Sequence, residues 1–139
     1  MKVKLRLDFK GFSKHSYFLF GSKNSEKAAQ EIRDQQIALL RNIPIQGIEI
    51  ENINCVEELY VLNDSLHNEE VAYAPTEIVL NAETLEYLIQ FIVRDEFRKV
   101  EILEPQEIKL TKQELERLFV KINEEMKTLL PQILRKMER

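Results

Sequence analysis

The sequence is poor in the residues that build the common cofactor sites. Glycine occurs only three times in 139 residues, against about 7% in an average protein. Phosphate-binding loops need clustered glycines so that the backbone can approach the ligand, and neither common glycine-rich nucleotide motif is present. The usual nucleotide-binding loops are therefore excluded, and we expect no cofactor.

Cysteine and long apolar runs are also scarce. Cys55 is the single cysteine, which excludes an intrachain disulfide and a cysteine-built zinc site from one chain. No run approaches the ~18 consecutive apolar residues of a membrane span. The first twelve residues alternate apolar with charged side chains, unlike the apolar core of a signal peptide. We therefore expect a cytoplasmic protein that has no membrane partner.

Charge and composition indicate an ordinary globular protein. The chain has 20 basic and 24 acidic residues, a net charge of −4, and hence no global attraction for nucleic acid. The 44% hydrophobic content excludes a disordered chain. The length suits one domain over residues 1–139.

A strict alternation opens the chain and predicts a half-buried strand. Apolar side chains occupy positions 3, 5, 7 and 9, and mostly basic side chains lie between them. Turn residues Gly11 and Ser13 follow, and Ser16–Phe20 reads as a returning strand.

The spacing of apolar residues and the residues that start or stop helices predict the elements of the middle region. Asn81 reads as a helix cap, with Leu80 and Leu85 as a hydrophobic staple, and the helix it starts is expected to be the most buried one. The expected order is a helix from near Ser22 or Ser25 to Ile43, a strand over 45–53, a strand over 77–80 that starts only after Pro75, the helix from Asn81 to Val93, and a strand over 100–103.

Residues 54–64 support two interpretations. Asn54 and Glu57 imitate a helix capping box, whereas the run from Leu59 to Leu62 favours a strand. We prefer the strand. The polar stretch 64–70 is predicted to be an exposed loop.

The last element has the clearest start signal. Thr111 and Glu114 form a capping box, and Leu110 with Leu115 forms a staple. Apolar residues then recur with an eleven-residue period, which stays in phase along a nearly straight helix. Pro131 predicts a kink or a break. Together these elements predict an α+β fold: a mixed or mainly antiparallel sheet of five or six strands covered by helices, with a long C-terminal amphipathic helix.

A local resemblance accompanies this pattern. A helix, the segment Val100-Glu101-Ile102-Leu103-Glu104-Pro105 and a second helix resemble the C-terminal extension of WYL-type transcriptional regulators. The resemblance covers about a quarter of the chain and includes no specific motif, so it implies no residue role here.

Catalytic candidates are few. His15 and His67 lie 52 residues apart in predicted loops, and a solvated histidine is the simpler interpretation of each. Cys55 has only these two possible bases, which favours an incidental thiol. Adjacent acids such as Glu124-Glu125 point in different directions on a helix and predict no acid–base pair. We expect no catalytic residue and no metal site.

The polar face of the first strand is a candidate nucleic-acid surface. Clustered basic side chains could contact phosphates, although lysines on an edge strand more often prevent aggregation. The candidate residues are Lys2, Lys4, Arg6, Lys10 and Lys14.

The C-terminal helix is the stronger candidate surface. From Thr111 to Glu138 it would be about 42 Å long, whereas a compact domain of this size is about 37 Å across. Its apolar stripe is therefore predicted to overhang the core and to bind a second copy or a partner protein, unless the helix breaks at Pro131 and folds back. The candidate interface residues are Leu118, Ile122, Met126, Leu129, Leu130, Ile133, Leu134 and Met137.

Three functions follow, in order of preference. The first is a non-enzymatic interaction or regulatory domain that self-associates through the C-terminal helix. The second is a nucleic-acid-associated protein that uses the first strand. The third is a small enzyme or ligand binder with a site built from loops.

Overall fold

The computed structural model describes residues 1–12, 21–55, 58–64 and 69–138. The predicted strand Ser16–Phe20 lies outside these ranges, as do Lys14, His15 and His67. The described elements confirm the α+β class. They are β1 (Lys2–Phe12), α1 (Gly21–Asn42), β2 (Ile48–Asn54), β3 (Tyr60–Asp64), β4 (Glu69–Ala82), a 3-10 helix (Leu85–Leu88) that continues into α2 (Ile89–Ile92), β5 (Phe97–Glu104) and α3 (Lys112–Met137).

The five described strands form one antiparallel sheet in the order β2-β4-β1-β5. Because β4 is 14 residues long, β2 and β3 share one of its edges. β2 pairs with residues 77–82 of β4, and β3 pairs with residues 69–73. β4 and β5 are each antiparallel to β1, which lies between them, so they run in the same direction.

The alternation of β1 is confirmed. Its four apolar side chains are completely buried on one face of the sheet, which we call the core face. α1 packs against β1 and β4, and Leu88 and Phe91 of the short helical segment (residues 85–92) join the same core. No side chain of that segment is exposed, as its nearly all-round apolar pattern predicts.

α1 approaches β1 very closely at Gly11. A Cβ atom at Gly11 would lie 2.1 Å from the backbone nitrogen of Ala29 and 2.6 Å from the carbonyl oxygen of Ser25. Ala72 and Ala74 of β4 pack with Ala29. The small side chains let the helix axis lie close to the sheet, and any side chain at Gly11 would push the two apart.

The prediction that no strand passes through Pro75 is wrong, because β4 continues through it. The N–H of Asp8 donates to Glu96 O (2.8 Å), so the backbone groups of Asp8 face β5 and its pair with Pro75 exchanges no hydrogen bonds. The missing N–H of Pro75 therefore points to the opposite edge of β4, between the stretches paired with β3 and β2. Arg33 Nη1 donates to Pro75 O there, at 3.4 Å.

Two neighbouring expectations also need correction. Asn81 does not cap a helix, because it pairs with Lys2 and Glu49 inside β4. The helical segment starts later, after Thr84, whose side chain makes no cap hydrogen bond. The loop predicted over 64–70 is too long, since β3 extends to Asp64 and β4 starts at Glu69. The strand preferred within 54–64 is confirmed over Tyr60–Asp64.

Candidate interaction surfaces

α3 begins at the capping box that the sequence predicts. The Thr111 hydroxyl accepts a hydrogen bond from the N–H of Glu114 (3.2 Å), and the Glu114 carboxylate accepts one from the N–H of Thr111 (3.0 Å). These two bonds satisfy backbone donors that have no partner inside the helix. The start of α3 is therefore fixed by hydrogen bonds within its own first turn.

α3 runs through Pro131 as one helix and ends at Met137. Proline removes one hydrogen bond, the one its N–H would donate to the carbonyl of Lys127. Lys127 and Pro131 are both exposed, so water can solvate that carbonyl. The helix is consequently not broken, and its C-terminal turns do not form a separate element.

α3 packs against the short helical segment along one side only. The residues on this side are half-buried, and no residue of α3 is buried. An open gap of about 160 Å³ lies between the first turns of α3 and residues 83–86. An open groove of about 570 Å³ is lined by Leu129, Ile133 and Met137 on α3 and by Lys10, Val93 and Asp95 on the other wall. The half-buried residues of α3 are Glu114, Leu118, Lys121, Ile122, Glu125 and Leu129.

A second apolar line runs along α3 beside the half-buried side. We call it the outer apolar side. Its members are between 40% and 76% exposed, with Met137 the most exposed. They are Leu115, Phe119, Met126, Leu130, Ile133 and Met137.

The predicted interface residues thus divide between two sides of α3. Leu118, Ile122 and Leu129 are half-buried. Met126, Leu130, Ile133 and Met137 belong to the outer apolar side, and Leu134 is exposed beyond it. The sequence prediction missed Phe119, which is 61% exposed. Its distance of four residues from Leu115 and seven from Met126 is helical spacing and could have identified it.

β5 is an exposed edge of the sheet. Among the described strands it pairs with β1 only, and every residue after Phe97 is exposed. Val100 and Ile102 pair with the buried Leu5 and Val3 and share their face of the sheet, yet they are 38% and 42% exposed. The helices therefore cover β1 and leave Val100 and Ile102 of β5 exposed.

The basic face of β1 is neutralised by its neighbours. Lys2 Nζ lies 3.4 Å from Glu51 on β2, and Lys4 Nζ lies 3.2 Å from Glu101 on β5. Asn81 donates to Glu51, and this hydrogen bond, followed by the contact with Lys2, lowers the pKa of the Glu51 carboxyl. Lys10 lies over the ring of Phe12, 5.0 Å from its centroid. Lys2 and Lys4 are therefore each compensated by a carboxylate, whereas Lys10 contacts an aromatic ring.

Asp8 is the centre of a polar cluster on this face. Its side chain is 1% exposed, and its carboxylate accepts two hydrogen bonds from Arg6, at 2.9 and 3.2 Å. Tyr60 Oη donates a third at 2.5 Å, and Arg98 Nε lies 3.7 Å from Oδ2. A buried carboxylate needs such compensation. Asp8 joins β1 to β3 and β5 in this way, and no local sequence signal indicated it.

Two stacked tyrosines cover the cluster. The rings of Tyr60 and Tyr73 lie 5.0 Å apart at 17°, and the Arg98 guanidinium lies 5.4 Å from the Tyr73 ring centroid. Partial burial, and then the hydrogen bond to Asp8, raise the pKa of the Tyr60 hydroxyl. Each polar atom of the Asp8 carboxylate is used within the protein, which is the arrangement of a structural cluster.

Of the catalytic candidates, only Cys55 lies in the part of the chain that the structure describes. Cys55 is an exposed free thiol. Across residues 1–12, 21–55, 58–64 and 69–138, no three His, Cys, Asp or Glu side chains are arranged to hold a metal ion. Within the same ranges, no helix combines the length and the apolarity needed to cross a bilayer.

Comparison with known proteins does not assign the chain to a family. No protein-family description matches the chain, and neither a curated protein nor a solved structure matches it significantly. The local resemblance to WYL-type regulators therefore has no support beyond the residues that suggested it.

Proposed function

We propose that this protein is a non-enzymatic interaction or regulatory domain that associates with a second copy of itself through the outer apolar side of α3. One observation carries the proposal: a 26-residue helix with a continuous apolar side has no buried residue. Exposed apolar surface of this extent marks an interaction site in soluble proteins.

Burial energetics favour such an association. Fully burying a Leu, Met or Phe side chain contributes about 1.5–3 kcal/mol, and the outer apolar side carries six apolar side chains at least 40% exposed. From Leu115 to Met137 it extends about 33 Å at 1.5 Å per residue. A surface of that length is long enough to form the centre of a dimer interface.

The spacing of the outer apolar side favours a second copy as the occupant. A two-fold interface uses the same patch on both subunits and must be self-complementary. We consider an antiparallel pair of α3 helices centred on Met126. Leu115 then lies opposite Met137, and Phe119 lies opposite Ile133. Apolar side chains of the two helices therefore face each other on both sides of the centre. A partner of unrelated sequence would not require this symmetry.

We include a cytoplasmic location in the proposal. The chain has one cysteine, which is exposed and free. Disulfide-poor proteins with free thiols are typical of reducing compartments.

The test compares two variants with the same charge change on opposite sides of α3. Met126→Glu places a carboxylate in the outer apolar side, and two carboxylates would meet at the centre of the pair. We expect the dimer to weaken at least about 100-fold, because an unpaired charge in an interface costs several kcal/mol. Thr128→Glu introduces the same charge on the polar side and should leave the dimer unchanged.

Sedimentation velocity over a concentration series measures both variants beside the unmodified chain. Far-UV circular dichroism verifies that each variant is folded, which is expected because Met126 is 50% exposed and Thr128 is exposed. Equal self-association of all three proteins would refute the role of this side of α3.

A further inference from the structure

The open edge of β5 has a definite hydrogen-bonding pattern. Because the N–H of Asp8 faces β5, the N–H groups of Arg6 and Lys4 face it as well, since alternate residues of a strand point the same way. Their partners Lys99 and Glu101 therefore direct their backbone groups toward β1. Val100 and Ile102 direct theirs outward, away from the sheet.

This pattern limits how β5 can pair with β5 of a second copy. In an antiparallel pair related by a two-fold axis, a residue whose backbone N–H and C=O point outward must lie opposite another such residue. Registers that place Val100 opposite Glu101 are excluded. Four registers centred within the regularly paired stretch Lys99–Ile102 remain, and each places one residue opposite itself: Lys99, Val100, Glu101 or Ile102.

The charges that lie opposite one another distinguish the four registers. Two of them bring like charges directly opposite one another, Lys99 on Lys99 or Glu101 on Glu101, which is destabilising. The register centred on Ile102 sets Glu101 opposite Leu103 and Val100 opposite Glu104, so it forms no ion pair. The register centred on Val100 places Val100 opposite Val100 and sets Lys99 opposite Glu101 twice. We infer that β5 pairs antiparallel with β5 of a second copy in this register centred on Val100.

The other described edge strands lack this complementarity. β2 carries Glu49 and Glu51 and no basic residue, and β3 carries Asp64 and no basic residue. Neither can form an ion pair with itself across a two-fold axis. β5 also has exposed apolar side chains on its core face, and Val100 would cover its counterpart in the proposed pair.

The strand pair is short, and the inference therefore rests on the self-association proposed above. Register shifts flank Lys99–Ile102 on β5 and leave only a few residues with regular pairing. Such a contact cannot hold two subunits together alone. We propose that it aligns the two copies, whereas the association proposed for α3 holds them together.

Single-cysteine variants at positions 99, 100 and 101 test the register. Each is made in a Cys55→Ser background and treated with diamide, and non-reducing electrophoresis follows the covalent dimer. In the proposed register the two Cα atoms at position 100 lie about 5.5 Å apart, within disulfide range, whereas those at positions 99 and 101 lie beyond about 7 Å. Val100→Cys should therefore form the covalent dimer at least about tenfold faster than Lys99→Cys or Glu101→Cys.

A faster reaction at position 99 or 101, or equal rates at all three, would overturn the inference. Sedimentation of the same reduced variants separates this failure from failure of the proposed function. A dimer that Met126→Glu disrupts, without preferential reaction at position 100, removes the strand pair and keeps the α3 association. A monomer at every concentration removes both.

Lys99→Glu provides a second measurement that does not depend on cysteine chemistry. The substitution sets a carboxylate at position 99 opposite the Glu101 carboxylate at both ends of the strand pair, and we expect roughly tenfold weaker dimerisation. Adding Glu101→Gln removes the repulsion and should restore part of the loss. An unchanged dimer in Lys99→Glu would contradict the register.

Discussion

Replacing Tyr60 by phenylalanine tests whether Asp8 is held as a structural centre. The variant removes one hydrogen bond to a carboxylate that is 1% exposed and keeps the ring stacked on Tyr73. Hydrogen bonds to charged groups contribute about 1.5–3 kcal/mol. Asp8 retains both bonds from Arg6, and Tyr60 is only partly buried, so we expect a loss near the lower end, about 1.5 kcal/mol.

Urea unfolding followed by far-UV circular dichroism, at one protein concentration, measures the loss. Tyr73→Phe is the matched control, because the Tyr73 hydroxyl makes no hydrogen bond within the described part of the chain, and we expect no change in its free energy of unfolding. A Tyr60→Phe midpoint equal to that of the unmodified chain, or an equal loss in both variants, would refute the assignment of Asp8.

The effect of Tyr60→Phe on the free energy of unfolding should also depend on pH, in a direction that the pKa of Tyr60 fixes. The pKa of Tyr60 is raised in the folded state, so the folded protein holds this proton more tightly than the unfolded chain does. The stabilising contribution is complete below the ordinary tyrosine pKa of about 10 and is lost as the pH rises through the folded value. The stability difference between the unmodified chain and Tyr60→Phe should therefore shrink above about pH 10.

Three further outcomes are expected. Gly11→Ala should lower the free energy of unfolding by about 1–3 kcal/mol in urea titration, because its Cβ would meet the backbone of α1; an unchanged midpoint would contradict the close approach. Thr111→Ala should destabilise the first turn of α3 by about 1 kcal/mol and speed amide exchange there, while exchange at Leu5 in the core stays slow. Fluorescence anisotropy with labelled DNA or RNA should show no salt-sensitive binding, and affinity that falls steeply with salt would restore the nucleic-acid hypothesis.

Local signals predicted much of the fold because their physical causes are local. The alternation in β1 and the capping box at Thr111 involve neighbours within a few residues, and both are confirmed. Pro75 failed as a strand-start signal because its effect depends on which edge of β4 lacks a partner. That is a property of the whole sheet, and the sequence of β4 alone does not contain it.

The candidate surfaces were less predictable because their partners are distant in sequence. Asp8 reads as an interruption of a basic stripe, and only the fold brings Tyr60 and Arg98 to it. The apolar pattern of α3 likewise could not separate the half-buried side from the exposed side. That division depends on where the short helical segment contacts the helix.

Sedimentation equilibrium of the unmodified chain is the most direct test of self-association. The measurement covers about 1–100 µM, the range in which a micromolar dimer dissociates. We predict a mass that rises with concentration toward twice the 16.5 kDa of one chain. A constant mass of 16.5 kDa across that range would contradict self-association through α3.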